Sequence, residues 1–225
     1  VHNGPMHGAP GMHLDAHGSG AEYLGSMVPN FALRRSAFAV AQRCDAVRIL
    51  DSAKVQQVRT TEHCAIVEYT RHGEAAQQLR APLVVAADSR FSATRRQLGV
   101  GAEMTDFGRT VIVCRMLHEK PHHEIAHECF GFERTLAVLP LQDDPQTGLH
   151  LCSVVVTADT ADATALLHQS PEAFTEQVQR QFDHRLGHMR MTGERHSYPL
   201  VATYARRFPG HRFALLGDAA VGMHP

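Results

Sequence analysis

The chain has 225 residues, 44% of them hydrophobic and 20% charged, enough to bury a substantial core in one large domain or two small ones. Its 22 lysines and arginines are balanced by 23 aspartates and glutamates, which leaves no net field to draw in nucleic acid and argues against a general DNA or RNA binder. No window approaches the roughly 18 to 20 apolar residues that span a bilayer, and no charged segment followed by an apolar one opens the chain.

The first 25 residues hold six glycines between Gly4 and Gly25 and predict loops and a short hairpin. Pro29 and Asn30 then supply helix-start signals, and Leu33, Ala37, Val40 and Ala41 recur at helical spacing as far as Arg43. Residues 47–50, 55–58, 65–69 and 78–80 predict strands of a short meander, with His72 and Gly73 at a turn. Leu83 to Ala87 is apolar at every position, as in a strand covered on both faces of a parallel sheet, and ends in Asp88. Ser92 is placed to cap a short helix closed by Gly99.

From Thr110 the pattern is strand throughout: 110–116, 128–132, 136–141 and 149–156, with Asp143, Asp144, Pro145 and Gly148 at a turn. The short connections predict an antiparallel sheet. A helix near 161–168 follows, and then a second one with Ser170 as cap, Pro171 at its first position, and Phe174, Val178 and Phe182 on one face. Residues 198–203 are extended. Phe213 to Leu216 is another fully apolar strand, ending in Gly217 and Asp218.

Five cysteines without a Cys-x-x-Cys pair argue against a disulfide framework and a zinc ribbon, and predict reduced, mostly buried thiols. His123, Glu124 and His127 spell His-Glu-x-x-His, which on a helix would offer two imidazoles to zinc. Among 17 histidines such a match arises readily by chance, Pro121 stands just before it, and the residues after it have strand character. No metal site is therefore assigned.

The two apolar strands that end in Asp88 and Asp218 share one architecture: strand, small-residue turn with an aspartate, candidate helix start. In open α/β sheets ligands collect at such strand ends. An aspartate there either caps the next helix or accepts hydrogen bonds from sugar hydroxyls. Both segments resemble the internal fingerprints of single-component flavin monooxygenases, the aromatic hydroxylases related to p-hydroxybenzoate hydroxylase. GDAAVGMHP resembles the motif whose aspartate binds the ribityl chain of FAD. AADSRFSATRR resembles a motif associated with both FAD and NAD(P)H, with Ala86 and Ser89 where the family usually has glycine. MVPNFALRRSAF, HEKPHHEIAHECFGFERTLAVLPL and ERHSYPLVATYARRFPGHRFALLGDAA extend the resemblance over nearly the whole chain, toward the ubiquinone-biosynthesis hydroxylases.

The resemblance implies an α/β (α+β) fold: a partial FAD/NAD(P)-binding Rossmann-like domain with an antiparallel substrate sheet. Residues 1–25 would form a loop or hairpin on the substrate side, 26–100 part of the FAD-binding domain, 101–209 the substrate domain, and 210–225 the return to the FAD-binding domain. It implies hydroxylation of an aromatic ring through a flavin hydroperoxide, with FAD as cofactor, NAD(P)H as reductant and no catalytic side chain of the protein's own. Cofactor contacts would come from Gly217, Asp218, Ala219, Ala220, Pro225, Asp88, Ser92 and Arg95, and from Asn30, where many relatives carry arginine. Leu139 and Pro140 would line the pocket. The substrate would be an aromatic or quinone-type small molecule. Partners would be other ubiquinone-biosynthesis proteins, and the location cytoplasmic or peripheral at the inner membrane. A hydroxylase of a small soluble phenol and a non-catalytic interaction module stay open beside it.

The Gly-x-Gly-x-x-Gly turn that receives the pyrophosphate in such enzymes is not present, since Gly18 and Gly20 are followed by Tyr23 at the third position. The expectation is an interior slice of a longer flavoprotein, binding FAD poorly on its own.

Overall fold

The computed structural model describes residues 1–3, 11–131 and 133–223. In chain order the elements are β1 (His2–Asn3), α1 (Asn30–Gln42), β2 (Ala53–Thr60), β3 (Ala65–Arg71), β4 (Gln77–Ala81), β5 (Val84–Ala86), α2 (Ala93–Gln97), β6 (Ala102–His118), β7 (His127–Phe130), β8 (Thr135–Leu141), β9 (His150–Asp159), α3 (Thr160–His168), α4 (Pro171–Gln181), β10 (Met189–Ala205), β11 (Pro209–Gly210), β12 (Phe213–Leu215), a 3-10 turn (Gly217–Ala219) and β13 (Val221–Gly222). They fall into two compact units, the first Val1–Arg35 with Gly108–Pro199 and the second Ser36–Phe107 with Leu200–Pro225.

The first unit is built on a sheet in the order β1-β7-β8-β9-β6-β10. Its pairings are antiparallel from β7 to β8, β8 to β9 and β9 to β6, while β1 joins β7 in parallel, His2 opposite Cys129. Alternation along the strands sends Ile112, Cys114, Met116, Leu136, Val138, Cys152, Val154 and Val156 to one face, where they form a core with Ala163 and Leu166 of α3 and Phe174 and Val178 of α4. The helices form where their caps predict: Ser170 Oγ accepts the N–H of Ala173 at 3.2 Å, with Pro171 at the first position. Arg195 closes the end of α3, donating from Nη1 to Leu166 O at 2.7 Å and from Nη2 to Gln169 O at 2.6 Å, with its guanidinium 5.0 Å over the Phe174 ring.

In the second unit β2, β3 and β4 form an antiparallel meander. Where β2 shifts register between Val55 and Gln57, the Gln97 side chain of α2 completes the main-chain bonding, accepting from Val58 N at 2.6 Å and donating to Gln56 O at 3.1 Å. The three-stranded sheet β11-β12-β5 packs its small core from Ala86, Val100, Ala205, Phe213, Leu215, Ala219 and Ala220.

Two expectations change. Residues 47–50 are irregular, because strand composition without a ladder partner makes no strand. The β5 run is covered on one face only: Ala86 is buried but Val85 stays 47% exposed. Of the expected N-terminal hairpin, the described residues show one antiparallel pair, Val1 and Met12, which exchange both main-chain bonds at 2.8 Å. Its expected turn, 4–10, lies outside the described residues. The helix expected from Asn30 forms as α1, but it buries none of its side chains, and Leu33 and Val40 remain more than half exposed.

Packing sets a pH limit on the first unit. His127 meets the Phe182 ring edge-on at 5.1 Å and stacks on His2 at 6.2 Å. Desolvation above all, then the charges of Arg185, His2, the N-terminal amine and His13, push its pKa from 6.5 down to about 4. A histidine so depressed is neutral when folded and takes up its proton more readily when unfolded. Its contribution is thus fully present above about pH 6.5 and is lost as the pH falls toward 4. We expect this group to cost on the order of 2 kcal/mol between pH 7 and 5, seen as a fall of about 5 °C in the thermal midpoint that His127→Leu largely removes. A flat wild-type profile would contradict it. Phe174, 1% exposed, should cost about 3 to 5 kcal/mol in denaturant unfolding when replaced by alanine.

Candidate functional site

β5 and β12 are parallel neighbours, with Val84, Val85 and Ala86 opposite Phe213, Ala214 and Leu215, and Leu216 N–H extends the ladder to Ala86 O at 2.8 Å. Parallel pairing brings both carboxyl ends to the same edge. The turns carrying Asp88 and Asp218 therefore leave the sheet side by side, which the sequence, where they stand 130 positions apart, does not display.

On the β5 side Asp88 closes a local network. Its Oδ1 accepts from Ser92 Oγ at 2.5 Å and its Oδ2 from Thr94 N–H at 3.4 Å. Ser92 in turn caps α2, accepting from Arg95 N–H at 2.9 Å, and Gly99 closes the helix at φ +69°. Partial burial alone would raise the Asp88 pKa, but the hydrogen bonds from Ser92, Thr94 and neighbouring main chain outweigh it and hold the carboxyl below its ordinary range.

Arg95 ties the two turns together. It is 3% exposed and donates from Nη1 to Ala219 O at 2.8 Å and from Nη2 to Arg90 O at 2.9 Å. Its Nε meets no partner among the described residues. On the β12 side Gly217 adopts φ +55°, a conformation that disfavours side chains, and a Cβ built there would meet nothing within 4 Å among the described residues. The next residue, Asp218, holds its side chain 56% exposed, with Oδ2 3.6 Å from Arg90 Nη2. The turn thus presents open space and an accessible carboxylate.

The sequence-predicted residues divide accordingly. Asp88, Ser92, Arg95 and Gly217 through Ala220 come together in the second unit. Ser92 is fully buried, Ala219 and Ala220 point their methyl groups into the core, and with Arg95 they shape the turns from beneath. Asp218 and Gly217 face outward. Asn30 opens α1 in the first unit and is exposed. Leu139, opposite Ser153, lies on the sheet face away from the helices, whereas Pro140 shares the face of Leu136 and Val138. Pro225 lies outside the described residues. Gly18 and Gly20 occupy a turn at φ +83° and +77°, with no strand leading into it among the described residues.

His123 and Glu124 stand in a turn at φ +51° and +58° and His127 on β7, so the helix that a His-Glu-x-x-His zinc site requires is not formed. A second histidine cluster escaped the sequence. His118, His122 and His150 lie with ring centroids 5.6 to 6.2 Å apart. His118 Nδ1–H donates to Lys120 O and His150 Nδ1–H to Asp143, both at 2.9 Å. Among the described residues no three donor side chains are placed to hold a metal ion. Sequence reasoning did not single out Arg90, whose Nη2 lies 3.6 Å from Asp218 Oδ2. Its signal was its place two residues after Asp88, on the same turn.

A family described as an FAD binding domain matches residues 10–225. The chain is 43% identical over 211 residues to the ubiquinone hydroxylase UbiM of Neisseria meningitidis, covering 94% of this chain and 44% of that protein. It is 34% identical over 202 residues to the ubiquinone hydroxylase UbiL of Rhodospirillum rubrum, covering 90% and 45%. The chain therefore spans a little under half the length of these relatives. Among solved structures, the flavin-dependent monooxygenase PieE, in complex with FAD and substrate, superposes with a TM-score of 0.71 at 15% identity, covering 88% of this chain and 34% of that one. The p-nitrophenol 4-monooxygenase PnpA of Pseudomonas putida gives 0.66 at 18%, covering 87% and 48%. At such identities the likeness shows the fold: mixed α/β, of the p-hydroxybenzoate hydroxylase-like kind.

If Ser92 and Asp88 hold the β5 turn as described, Ser92→Ala should cost about 1 to 2 kcal/mol through the lost cap and raise the Asp88 pKa in an NMR titration. An unmoved Asp88 titration would contradict the network.

Proposed function

The chain belongs to the FAD binding domain family, and from that we propose that it serves the hydroxylation of an aromatic, quinone-type substrate of ubiquinone biosynthesis, with FAD as cofactor and NAD(P)H as reductant. The observation that carries the proposal is the paired strand edge. Two aspartate turns from distant parts of the sequence are held together by a buried arginine, with an accessible carboxylate and open space above Gly217. These residues fit a polyhydroxylated chain: an ionised carboxylate accepts hydrogen bonds from successive hydroxyls, and a glycine lets the ligand approach the main chain.

FAD, when bound, supplies the electron transfer and oxygen activation that side chains cannot. What remains for the protein is binding, orientation and exclusion of water. Asp218 receives the ribityl hydroxyls beside Gly217. Ser92, Arg95, Ala219 and Ala220 keep the turn in shape from below, and Asp88 fixes the adjoining turn. The resemblance of residues 86–96 to a motif tied to both nucleotides supports NAD(P)H. In the first unit Leu139, on the helix-free sheet face, offers an apolar contact for the substrate ring, with Pro140 supporting it from the other face. Among the described residues no helix is long and apolar enough to cross a membrane. A lipid-phase quinone precursor is consistent with a cytoplasmic protein that makes peripheral contact with the inner membrane.

The names of the UbiM and UbiL relatives support the substrate class. Fluorescence titration with FAD should show binding that Asp218→Ala weakens by at least about 10-fold, the loss of one charge-assisted hydrogen bond or more. Incubation of a full-length flavoprotein containing this chain with FAD, NAD(P)H and a ubiquinone precursor that has an unsubstituted ring position should yield hydroxylated product by mass spectrometry. Unchanged FAD affinity in the variant would overturn the assigned site, and absence of hydroxylated product would overturn the substrate class.

A further inference from the structure

We infer that Arg90 is a positioning residue for the flavin site: it orients the Asp218 carboxylate so that one oxygen is kept toward the protein and the other is left for a ligand hydroxyl. The inference rests on the flavin reading above.

Four observations meet at this side chain. Its Nη2 lies 3.6 Å from Asp218 Oδ2. Its Nη1 donates to Val201 O at 3.1 Å on β10. Its own carbonyl accepts from the buried Arg95 at 2.9 Å. Its Cβ lies against Gly222, where a Cβ on the glycine would approach to 2.9 Å. The main chain of Arg90 is thus anchored by one arginine, its stem is seated on a position without a side chain, and its guanidinium is fixed by a carbonyl before it reaches Asp218. A planar guanidinium bonded at one nitrogen to a carbonyl turns as one rigid group, so its other terminal nitrogen is aimed at the carboxylate beyond it.

Magnitude separates orientation from stability. The Arg90 and Asp218 side chains are 30% and 56% exposed, and pairs this open contribute little to folding. An ion pair of small folding value still matters to a ligand, because a carboxylate already oriented loses less rotational freedom on binding. Lysine at this position would retain the charge but could not bond Val201 O and face Asp218 with one rigid group.

The test uses Arg90→Met, which keeps the stem, Arg90→Lys and Asp218→Asn, alone and combined. Without FAD, hydrogen exchange of the amides from 217 to 222 should quicken several-fold in Arg90→Met, with a smaller change in Arg90→Lys. FAD affinity should fall about 5- to 10-fold in Arg90→Met and partly recover in Arg90→Lys. In the Asp218→Asn background, Arg90→Met should cost less than 2-fold more, because the group it orients is already neutral. Unchanged exchange, unchanged affinity, or additive losses would each overturn the proposal. Asp218→Asn keeps the two readings apart: if it weakens FAD binding while Arg90→Met does not, the positioning role fails and the flavin site stands. If Asp218→Asn leaves FAD affinity intact, the flavin site itself fails.

Discussion

The buried guanidinium of Arg95 is the constraint on which the candidate site depends. A charge taken almost wholly out of water is costly unless its donors are used, and here two of them are spent on carbonyls from different turns, Ala219 O and Arg90 O. Each turn alone is short and has little core of its own. Joined through Arg95 and seated on parallel strands, they become one edge on which the Asp218 side chain stays exposed beside Arg90. Exposure and architecture are thus divided among neighbours: the residues that shape the turn are buried, and the Asp218 side chain is left exposed.

The same division runs through the composition of the turn. Ala219 and Ala220 are small because their methyl groups pack beneath it with Phe213 and Leu215. Gly217 is glycine because the main chain there takes a positive φ, and Gly222 because Arg90 lies against it. A motif of small residues around an aspartate is therefore explained by packing, backbone conformation and side-chain seating, each at a different position.

Much of this was legible in the sequence, and the reasons are local. Capping made α2 and α4 visible: Ser92 and Ser170 each accept the N–H that the pattern assigns to them. Strand-forming runs divided by the turn residues Asp143, Asp144, Pro145 and Gly148 made β8 and β9 visible, and one face of each meets the helices. The two aspartate turns were visible as separate motifs. What could not be read was their adjacency, which depends on β5 and β12 pairing across most of the chain length, and the approach of Arg90 to Asp218, which exists only once that pairing is made. The strand expected at 47–50 failed for the complementary reason, since composition specifies a strand's sides and not its partner. The His118, His122 and His150 cluster likewise follows from the register of β6 with β9, where His118 faces His150.

Two turns distant in sequence form one edge with Asp218 at its exposed point, and the proposal is that this edge binds flavin. A crystal structure of the protein with FAD tests this most directly. The account predicts a ribityl hydroxyl within hydrogen-bonding distance of the Asp218 carboxylate, with the Arg95 bonds to Ala219 O and Arg90 O intact. Flavin bound elsewhere, with Asp218 facing solvent alone, would contradict it.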